Sequence, residues 1–289
     1  MNTLVYWLGR VFIVLVQALP LRFVARLGRF GGGLAFHLSA RYRRVALDNL
    51  TMVFGRERTA AEIRELAKEN FRRIGENYAC AIKTAAMSFE QLRPHIEFHG
   101  WEQIPKQPAN LPPQNAVVAV GHFGNFEIYA WAQKIRPDYR FATTYRGLKQ
   151  PAANRLLQSL RGQSGCLFFE RRIDGEKLRQ VLSQGGILLG LLADQSSRGV
   201  RIPFLGHDCN TGVSPAVLAL RYKIRLFHAI CYRTGLARWR LEMGNEIPTL
   251  ENGRPRSSEA IMRDVNTALE RAVRRDPANW FWVHRRWKD

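Results

Sequence analysis

The chain has 289 residues, of which 46% are apolar, so it can enclose a substantial core and lacks the composition of a disordered protein. Its formal net charge of +20 indicates an anionic partner, whether a membrane leaflet, a nucleic acid or an acidic protein. Four scattered cysteines, none of them in a CxxC pair, argue against a disulfide framework or a zinc finger and fit a reducing compartment.

The first predicted element is an apolar N-terminal segment, residues 4–21 (LVYWLGRVFIVLVQALPL), which is almost long enough to span a bilayer. Arg10 and Gln17 interrupt it. No basic stretch precedes it and no A-x-A site follows it, so we do not expect a cleaved signal peptide. The segment predicts a membrane-associated helix that either crosses the bilayer once or lies in its interface, with a buried core helix as the alternative.

A group of basic residues follows this segment closely. By the positive-inside rule, such a flank predicts that the body of the protein lies in the cytoplasm, and anionic headgroups would bind these side chains at about 1 kcal/mol each. We therefore expect a membrane anchor over residues 1–25 and a single folded domain over 26–289. The arginines concerned are Arg22, Arg26, Arg29, Arg41, Arg43 and Arg44.

The rest of the chain alternates predicted strands with predicted helices, after a long helix that begins with a capping box at Thr59. The apolar runs are continuous, which is typical of an α/β fold with a mostly parallel sheet flanked by helices. Ligands of such sheets bind beyond the carboxyl ends of the strands. The predicted strands are 115–120, 141–145, 166–169, 187–192, 226–232 and, as an edge strand, 239–243; the further helices are 126–135, 152–160, 174–182, 213–222 and 258–273.

The sharpest motif is GHFGNFE at residues 121–127, directly after the first of these strands. The strand delivers His122 to its tip, two glycines permit a tight turn, and Glu127 falls on the first turn of the next helix, from which it can reach back to His122. A neutral imidazole can remove the proton of an alcohol that attacks a carbonyl, and a carboxylate on its other ring nitrogen fixes the tautomer and stabilises the imidazolium. Taken alone, the spacing also fits a structural turn with a surface ion pair.

This segment resembles the H-x-x-x-x-E signature of the bacterial lipid A late acyltransferases, a lauroyl- and myristoyltransferase family related to the glycerolipid acyltransferases. The resemblance covers most of the chain, because further motifs of the family follow in order and at its spacing. One of them departs from the family's pattern, since Pro151 precedes Asn154 here, and we carry no role to that asparagine. The matching segments are Tyr145-Arg146 with Asn154, Glu170-Arg171-Arg172, Asp194-Gln195, Ile202–Gly206 and Pro277–Lys288.

The resemblance implies a membrane-anchored acyltransferase domain on the cytoplasmic face of the inner membrane. Its donor would be an acyl-carrier-protein thioester, or acyl-CoA, and its acceptor an anionic lipid, a precursor of lipid A. His122 would be the general base and Glu127 its orienting partner, with no cofactor and no metal. Arginine side chains are expected to bind phosphate or carboxylate groups, and Asp194 to orient a substrate group or pair with an arginine. The expected substrate-binding residues are Asn125, Arg146, Arg171, Asp194, Gln195 and Arg285.

Three alternatives stay open at this point. The same residues would serve an acyltransferase for another glycolipid or for a lysophospholipid, such as a phosphatidylinositol mannoside. With water as the nucleophile, they would serve a membrane-bound ester or thioester hydrolase. A nucleic-acid-binding module is disfavoured by the apolar N-terminus. Since no GxSxG elbow is present, we expect direct transfer without an acyl-enzyme, and Cys209, with His207 nearby, is the thiol that would contradict it.

Overall fold

The computed structural model describes residues 2–109, 111–162 and 164–288. Within these ranges, nine α-helices and eleven strands alternate over much of the chain. The helices are α1 (Asn2–Ala18), α2 (Leu21–Leu38), α3 (Ala40–Phe54), α4 (Ala60–Thr84), α5 (Phe89–Leu92), α6 (Pro151–Arg161), α7 (Gly175–Gln184), α8 (Ser214–Tyr222) and α9 (Ser258–Arg275). The strands are β1 (Ile96–His99), β2 (Ala116–Val120), β3 (Arg140–Tyr145), β4 (Leu167–Glu170), β5 (Ile187–Leu192), β6 (Ser196–Phe204), β7 (His207–Thr211), β8 (Arg225–Gly235), β9 (Arg238–Met243), β10 (Leu250–Glu251) and β11 (Arg254–Pro255).

Seven strands form the central sheet, in the order β1-β9-β8-β2-β5-β3-β4. All neighbours in it are parallel except β8 and β9, which confirms the predicted mostly parallel sheet flanked by helices. The prediction that residues 239–243 form an edge strand is wrong, because β1 pairs in parallel with β9 through Ile96 and Trp239 and becomes the edge itself. Two further pairs, β6–β7 and β10–β11, form antiparallel hairpins outside this sheet.

Two apolar cores cover opposite faces of the sheet. Strand β2 is buried throughout, and its alternate residues point into different cores: Val117 and Ala119 into one, Val118 and Val120 into the other. Double-sided burial explains why the strand is a continuous apolar run. The segment after β2, predicted as a helix over 126–135, forms a 3-10 helix over Phe126–Lys134.

The capping box predicted at Thr59 is present: the Thr59 hydroxyl accepts from the backbone N–H of Glu62, and the Glu62 carboxylate accepts from the backbone N–H of Thr59. It starts α4, the 25-residue helix against which the N-terminal part of the chain packs. Helix α2 crosses α4 at a glycine contact, where a Cβ on Gly32 would lie 2.1 Å from the carbonyl oxygen of Phe71. Close approach of the two backbones therefore fixes α2 on α4.

Helix α1 packs beside α6 and the end of α4. A Cβ on Gly9 would lie 2.4 Å from Leu156 of α6, and the Gln17 side chain donates to the carbonyl of Ile82 on α4 at 3.1 Å. Among the residues that the structure describes, no helix has both the length and the hydropathy that crossing a bilayer demands. The predicted membrane anchor and its boundary at residues 25/26, which falls inside α2, stay predictions.

Candidate active site

The site lies at the carboxyl ends of two adjacent parallel strands, β2 and β5. The strands pair in register through Val120 and Leu192, and the backbone N–H of Ala193 extends the ladder to the carbonyl of Val120 at 2.9 Å. Two residues beyond each strand end, His122 and Asp194 therefore meet. The Nδ1 atom of His122 lies 2.7 Å from Oδ1 of Asp194, and its backbone N–H donates to Oδ2 at 2.8 Å.

Asp194 is held on three sides and is only 1% exposed. Besides its two bonds with His122, it accepts a hydrogen bond of 2.8 Å from the indole N–H of Trp280, near the C-terminus. Burial acts to raise the pKa of Asp194, but the charge of His122 and the hydrogen bonds from His122 and Trp280 outweigh it and lower the pKa to about 2. The ionised carboxylate accepts a hydrogen bond from Nδ1–H, so in the neutral imidazole the lone pair is on Nε2, the atom that can act as a base.

The structure pairs the His122 ring with Asp194, not with Glu127 as predicted. The Nδ1 position is taken by Asp194, because strand register brings that carboxylate to the histidine from the adjacent strand. The Glu127 carboxylate, on the first turn of the 3-10 helix, instead forms a two-fold bond with the Arg161 guanidinium of α6, with Nε–Oε2 at 3.1 Å and Nη2–Oε1 at 2.5 Å. A direct role for Glu127 in catalysis stays a prediction.

A cavity of about 220 Å³ opens beside His122. Helix α4, helix α6, the 3-10 helix and the C-terminal segment around Phe281 enclose it. Its walls are mostly apolar, and its polar groups lie both at the 122–127 turn and on α4, where Asn77 and Thr84 line it. The apolar side chains that line it include Ile74, Ala81, Ala85, Leu157, Leu160 and Phe168.

The turn between His122 and the 3-10 helix needs a glycine at residue 124. Gly124 has φ +53°, and a Cβ there would lie 2.6 Å from the carbonyl oxygen of Cys231. The turn brings the Asn125 side chain to the cavity, where it is 2% exposed and neither amide atom has a hydrogen-bond partner among the described residues. A buried, unpaired amide is costly unless a ligand satisfies it, so Asn125 is suited to hydrogen-bond a bound group.

Two aromatic rings and one amide group surround the imidazole of His122. The rings of Phe126 and Phe281 lie 5.0 and 5.9 Å from the imidazole centroid and shield it from bulk water. The amide nitrogen of Gln195 lies 3.4 Å from Nε2. Gln195 therefore lies on the Nε2 side of the imidazole, and substrate binding by it stays a prediction.

The three predicted anion-binding arginines, Arg146, Arg171 and Arg285, are exposed and lie outside the cavity. Arg146 and Arg171 follow the neighbouring strands β3 and β4 at the same edge of the sheet as His122, and Arg171 is tied there by its backbone N–H to the carbonyl of Tyr145. Arg285 has a very different neighbour: Arg286 is fully buried and donates to the Asn210 carbonyl and the Thr211 hydroxyl. Arg286 is therefore structural, and ligand binding by the other three stays a prediction.

Cys209, the thiol that would contradict direct transfer, and Cys166 both lie in surroundings that suppress the thiolate. Burial raises the pKa of Cys209, and it raises the pKa of Cys166 to about 12. His207, which precedes Cys209 by two residues, directs its Nε2 toward the carbonyl of Met52 at 3.1 Å, while the thiol lies by the Ile202 carbonyl. Among the described residues, the hydrogen-bond partners of the two thiols are carbonyl and hydroxyl oxygens, none of which is a base that would activate a cysteine.

The roles of two residues at the site could not be predicted from the sequence. Arg161 belongs to no recognised motif, and only the packing of α6 against the 3-10 helix brings it to Glu127. Trp280 lies inside the C-terminal motif, but nothing in the motif indicates that its indole donates to Asp194, 86 residues earlier. Both contacts depend on tertiary structure, so local patterns do not report them.

Comparison with known proteins identifies the family. A search of curated proteins returns no match. The sequence model described as bacterial lipid A biosynthesis acyltransferase matches residues 1–289, the whole chain. The family expected from the motifs is thereby confirmed, and the chain belongs to the bacterial lipid A biosynthesis acyltransferase family.

Proposed function

We propose that the protein transfers a fatty acyl chain from an acyl-carrier-protein or CoA thioester to a hydroxyl group of a lipid A precursor. The observation that carries the proposal is that a carboxylate-bound histidine lines a mostly apolar cavity: His122, held by Asp194, lines the same cavity as Leu157 and Leu160. A base of this kind suits proton removal from an alcohol, and such a cavity suits a hydrocarbon chain.

The chemistry runs through the Nε2 atom of His122. It removes the proton of the acceptor hydroxyl as the oxygen attacks the thioester carbonyl carbon. Asp194 stabilises the imidazolium that forms, since it already accepts from Nδ1. When the tetrahedral intermediate collapses, the carbon–sulfur bond breaks and the imidazolium returns the proton to the leaving thiolate. The products are a lipid ester and a free thiol, and the acyl chain never bonds to the protein.

Two polar groups of the cavity are suited to stabilise the negative charge on the carbonyl oxygen. The amide of Asn125 is unpartnered, and so is Nη1 of Arg161, although the rest of that guanidinium is held by Glu127. Both groups line the cavity together with His122. Preorganised donors in a site that excludes water make a large contribution to transition-state stabilisation. In this proposal Glu127 acts through Arg161, whose guanidinium it orients.

The acyl chain is assigned to the apolar part of the cavity along α4. Ile74, Ala81 and Ala85 line it on one side, and the eleven residue steps from 74 to 85 span roughly 16 Å along the helix axis. Each methylene group that is buried there contributes about 0.8 kcal/mol to binding. The exposed Arg146, Arg171 and Arg285 are assigned to the anionic groups of the donor and the acceptor, and α1 to the membrane surface at the cytoplasmic face of the inner membrane.

The test is transfer by the purified protein, followed by mass spectrometry of the lipid. Incubation with acyl-acyl-carrier protein and a lipid A precursor is expected to add one acyl chain per lipid. His122→Ala removes the base and should lower the rate by about 10²–10⁴-fold in a protein that still folds. If fatty acid is released and no acylated lipid forms, the protein is a hydrolase; if folded His122→Ala retains wild-type turnover, the mechanism is wrong.

A further inference from the structure

The outward face of α2 is apolar over the whole length of the helix. Its five large apolar side chains recur every three or four residues, the spacing that aligns them along one face, and Phe30 and Leu38 are 73% and 74% exposed. A contiguous apolar stripe of this kind marks an interaction surface on a folded protein. The members of this stripe, which we call the α2 stripe, are Phe23, Leu27, Phe30, Leu34 and Leu38.

The α2 stripe cannot be buried by a rotation of the helix. The opposite face of α2 supplies Val24, Ala25 and Phe36 to the protein interior. Gly32 on that face lies so close to α4 that a Cβ would overlap the carbonyl oxygen of Phe71. Because α2 is locked on this side, its apolar stripe stays directed away from the protein.

Unpaired positive charge lies along one edge of the α2 stripe. Arg22 and Arg26 are exposed, and at 100° per residue both fall on the same flank of the stripe. Neither forms an ion pair with any of the described residues, in contrast to Arg29, which binds Glu69 and Glu76. Apolar side chains bordered by free arginines are complementary to an anionic lipid leaflet, which offers acyl chains beneath negative headgroups.

A second exposed apolar face lies on α1, the helix that precedes α2. Trp7, Val11 and Leu15 are each more than half exposed, while the other side of α1 packs on α6 and α4. We infer that α2 is a second membrane-binding element, which lies in the plane of an anionic leaflet beside α1. Helices α6 and α4 both line the cavity, so this orientation places the cavity next to the lipid from which an acceptor would arrive.

The inference goes beyond the proposed function, because it does not depend on the acyl-transfer chemistry. It is tested by flotation of the full-length protein with vesicles of phosphatidylcholine and phosphatidylglycerol. Phe30→Glu/Leu34→Glu should lower the vesicle partition coefficient on the order of tenfold or more, although α1 is intact. The matched control, Leu250→Glu, places the same charge at an exposed leucine of the distant β10 and should bind as the wild type does.

Two further variants separate the causes of a loss. Phe30→Ala/Leu34→Ala should also weaken binding without adding charge, and Arg22→Gln/Arg26→Gln should reduce the preference for phosphatidylglycerol over phosphatidylcholine about tenfold. All variants should retain turnover on detergent-dispersed substrates; absence of turnover in every protein, the wild type included, would refute the proposed function but not this inference.

Three results would overturn the inference. The first is wild-type vesicle binding by Phe30→Glu/Leu34→Glu, and the second is an equal loss of binding in Leu250→Glu. The third is a wild-type dimer in vesicle-free solution that becomes a monomer in Phe30→Glu/Leu34→Glu, since the α2 stripe would then be a contact between two copies of the chain.

Discussion

Two carboxylates flank His122, and their surroundings differ sharply. Asp194 is 1% exposed, follows the sheet strand β5, and accepts hydrogen bonds from the His122 ring, the His122 backbone and Trp280. Glu127 follows the histidine in sequence, but its side chain is 27% exposed and binds the Arg161 guanidinium on the cavity wall. The partner of His122 is therefore the carboxylate that strand register brings to it, Asp194, and not the carboxylate nearer in sequence.

The difference assigns separate tasks to the two carboxylates. A buried, ionised group with a fixed geometry can hold one tautomer of the imidazole through the catalytic cycle. A carboxylate on the cavity wall that holds an arginine can instead position a positive charge beside the substrate. Substitution of each carboxylate by its amide tests this division of tasks, because shape is retained while charge is lost.

Asp194→Asn is expected to have the larger effect. The amide can donate to Nδ1 and favour the wrong tautomer, and it cannot stabilise the imidazolium, so turnover should fall within the range of about 10²–10⁴-fold that general-base catalysis contributes. The loss should stay below that of His122→Ala, because an imidazole is still present. The control is Asp264→Asn, which removes a carboxylate paired with Arg256 far from the cavity and should leave turnover unchanged.

Glu127→Gln should have a smaller effect, about tenfold in turnover. The amide oxygen can still accept one hydrogen bond from Arg161, so the loss corresponds to one weakened charge-assisted bond of about 1.4 kcal/mol. Asp138→Asn is the matched control, since Asp138 is 28% exposed and also accepts from Nε and Nη2 of one arginine, Arg136, while neither residue lines the cavity. Equal losses in Glu127→Gln and Asp194→Asn would remove the distinction between the two carboxylates.

The smallest expected effect concerns the choice of acyl chain. Ala85 lines the cavity seven residues beyond Tyr78, or about 10 Å along α4, and the Tyr78 ring contacts Phe281 next to His122. Ala85→Leu should fill the distant end of the cavity and shift the preference several-fold toward shorter donors, as measured by competition between donors of different length. Ala61→Leu, on the exposed surface of the same helix, should leave the preference as it is.

The positions of the reactive groups could be predicted from the sequence, but not their pairing. The apolar runs at 115–120 and 187–192 locate β2 and β5 within one residue, and the polar residues after them mark the edge of the sheet at which His122 and Asp194 lie. Which two strands become neighbours is a long-range property, and the pairing of Val120 with Leu192 is absent from any local pattern. The sequence therefore could not predict that Asp194 is the hydrogen-bond partner of His122.

The same reasoning explains the other differences. The helix expected over 126–135 is a 3-10 helix over Phe126–Lys134, and the Glu127 side chain on its first turn binds Arg161 of α6. The strand at 239–243 shows an amphipathic pattern typical of an edge, but β1, which has only four residues and a weak pattern of its own, covers it. A boundary at 25/26 follows from composition, while α2 continues through it because its glycines dock it on α4.

The most direct test of the central claim is the protonation of the His122 ring, measured by nitrogen NMR on protein with ¹⁵N-labelled histidine and assigned through His122→Asn. We expect a proton on Nδ1 and none on Nε2 in the wild type and in Glu127→Gln. In Asp194→Asn we expect a changed tautomer or an exchange-broadened signal. A changed tautomer in Glu127→Gln, together with a wild-type spectrum in Asp194→Asn, would contradict the account and make Glu127 the partner of the histidine.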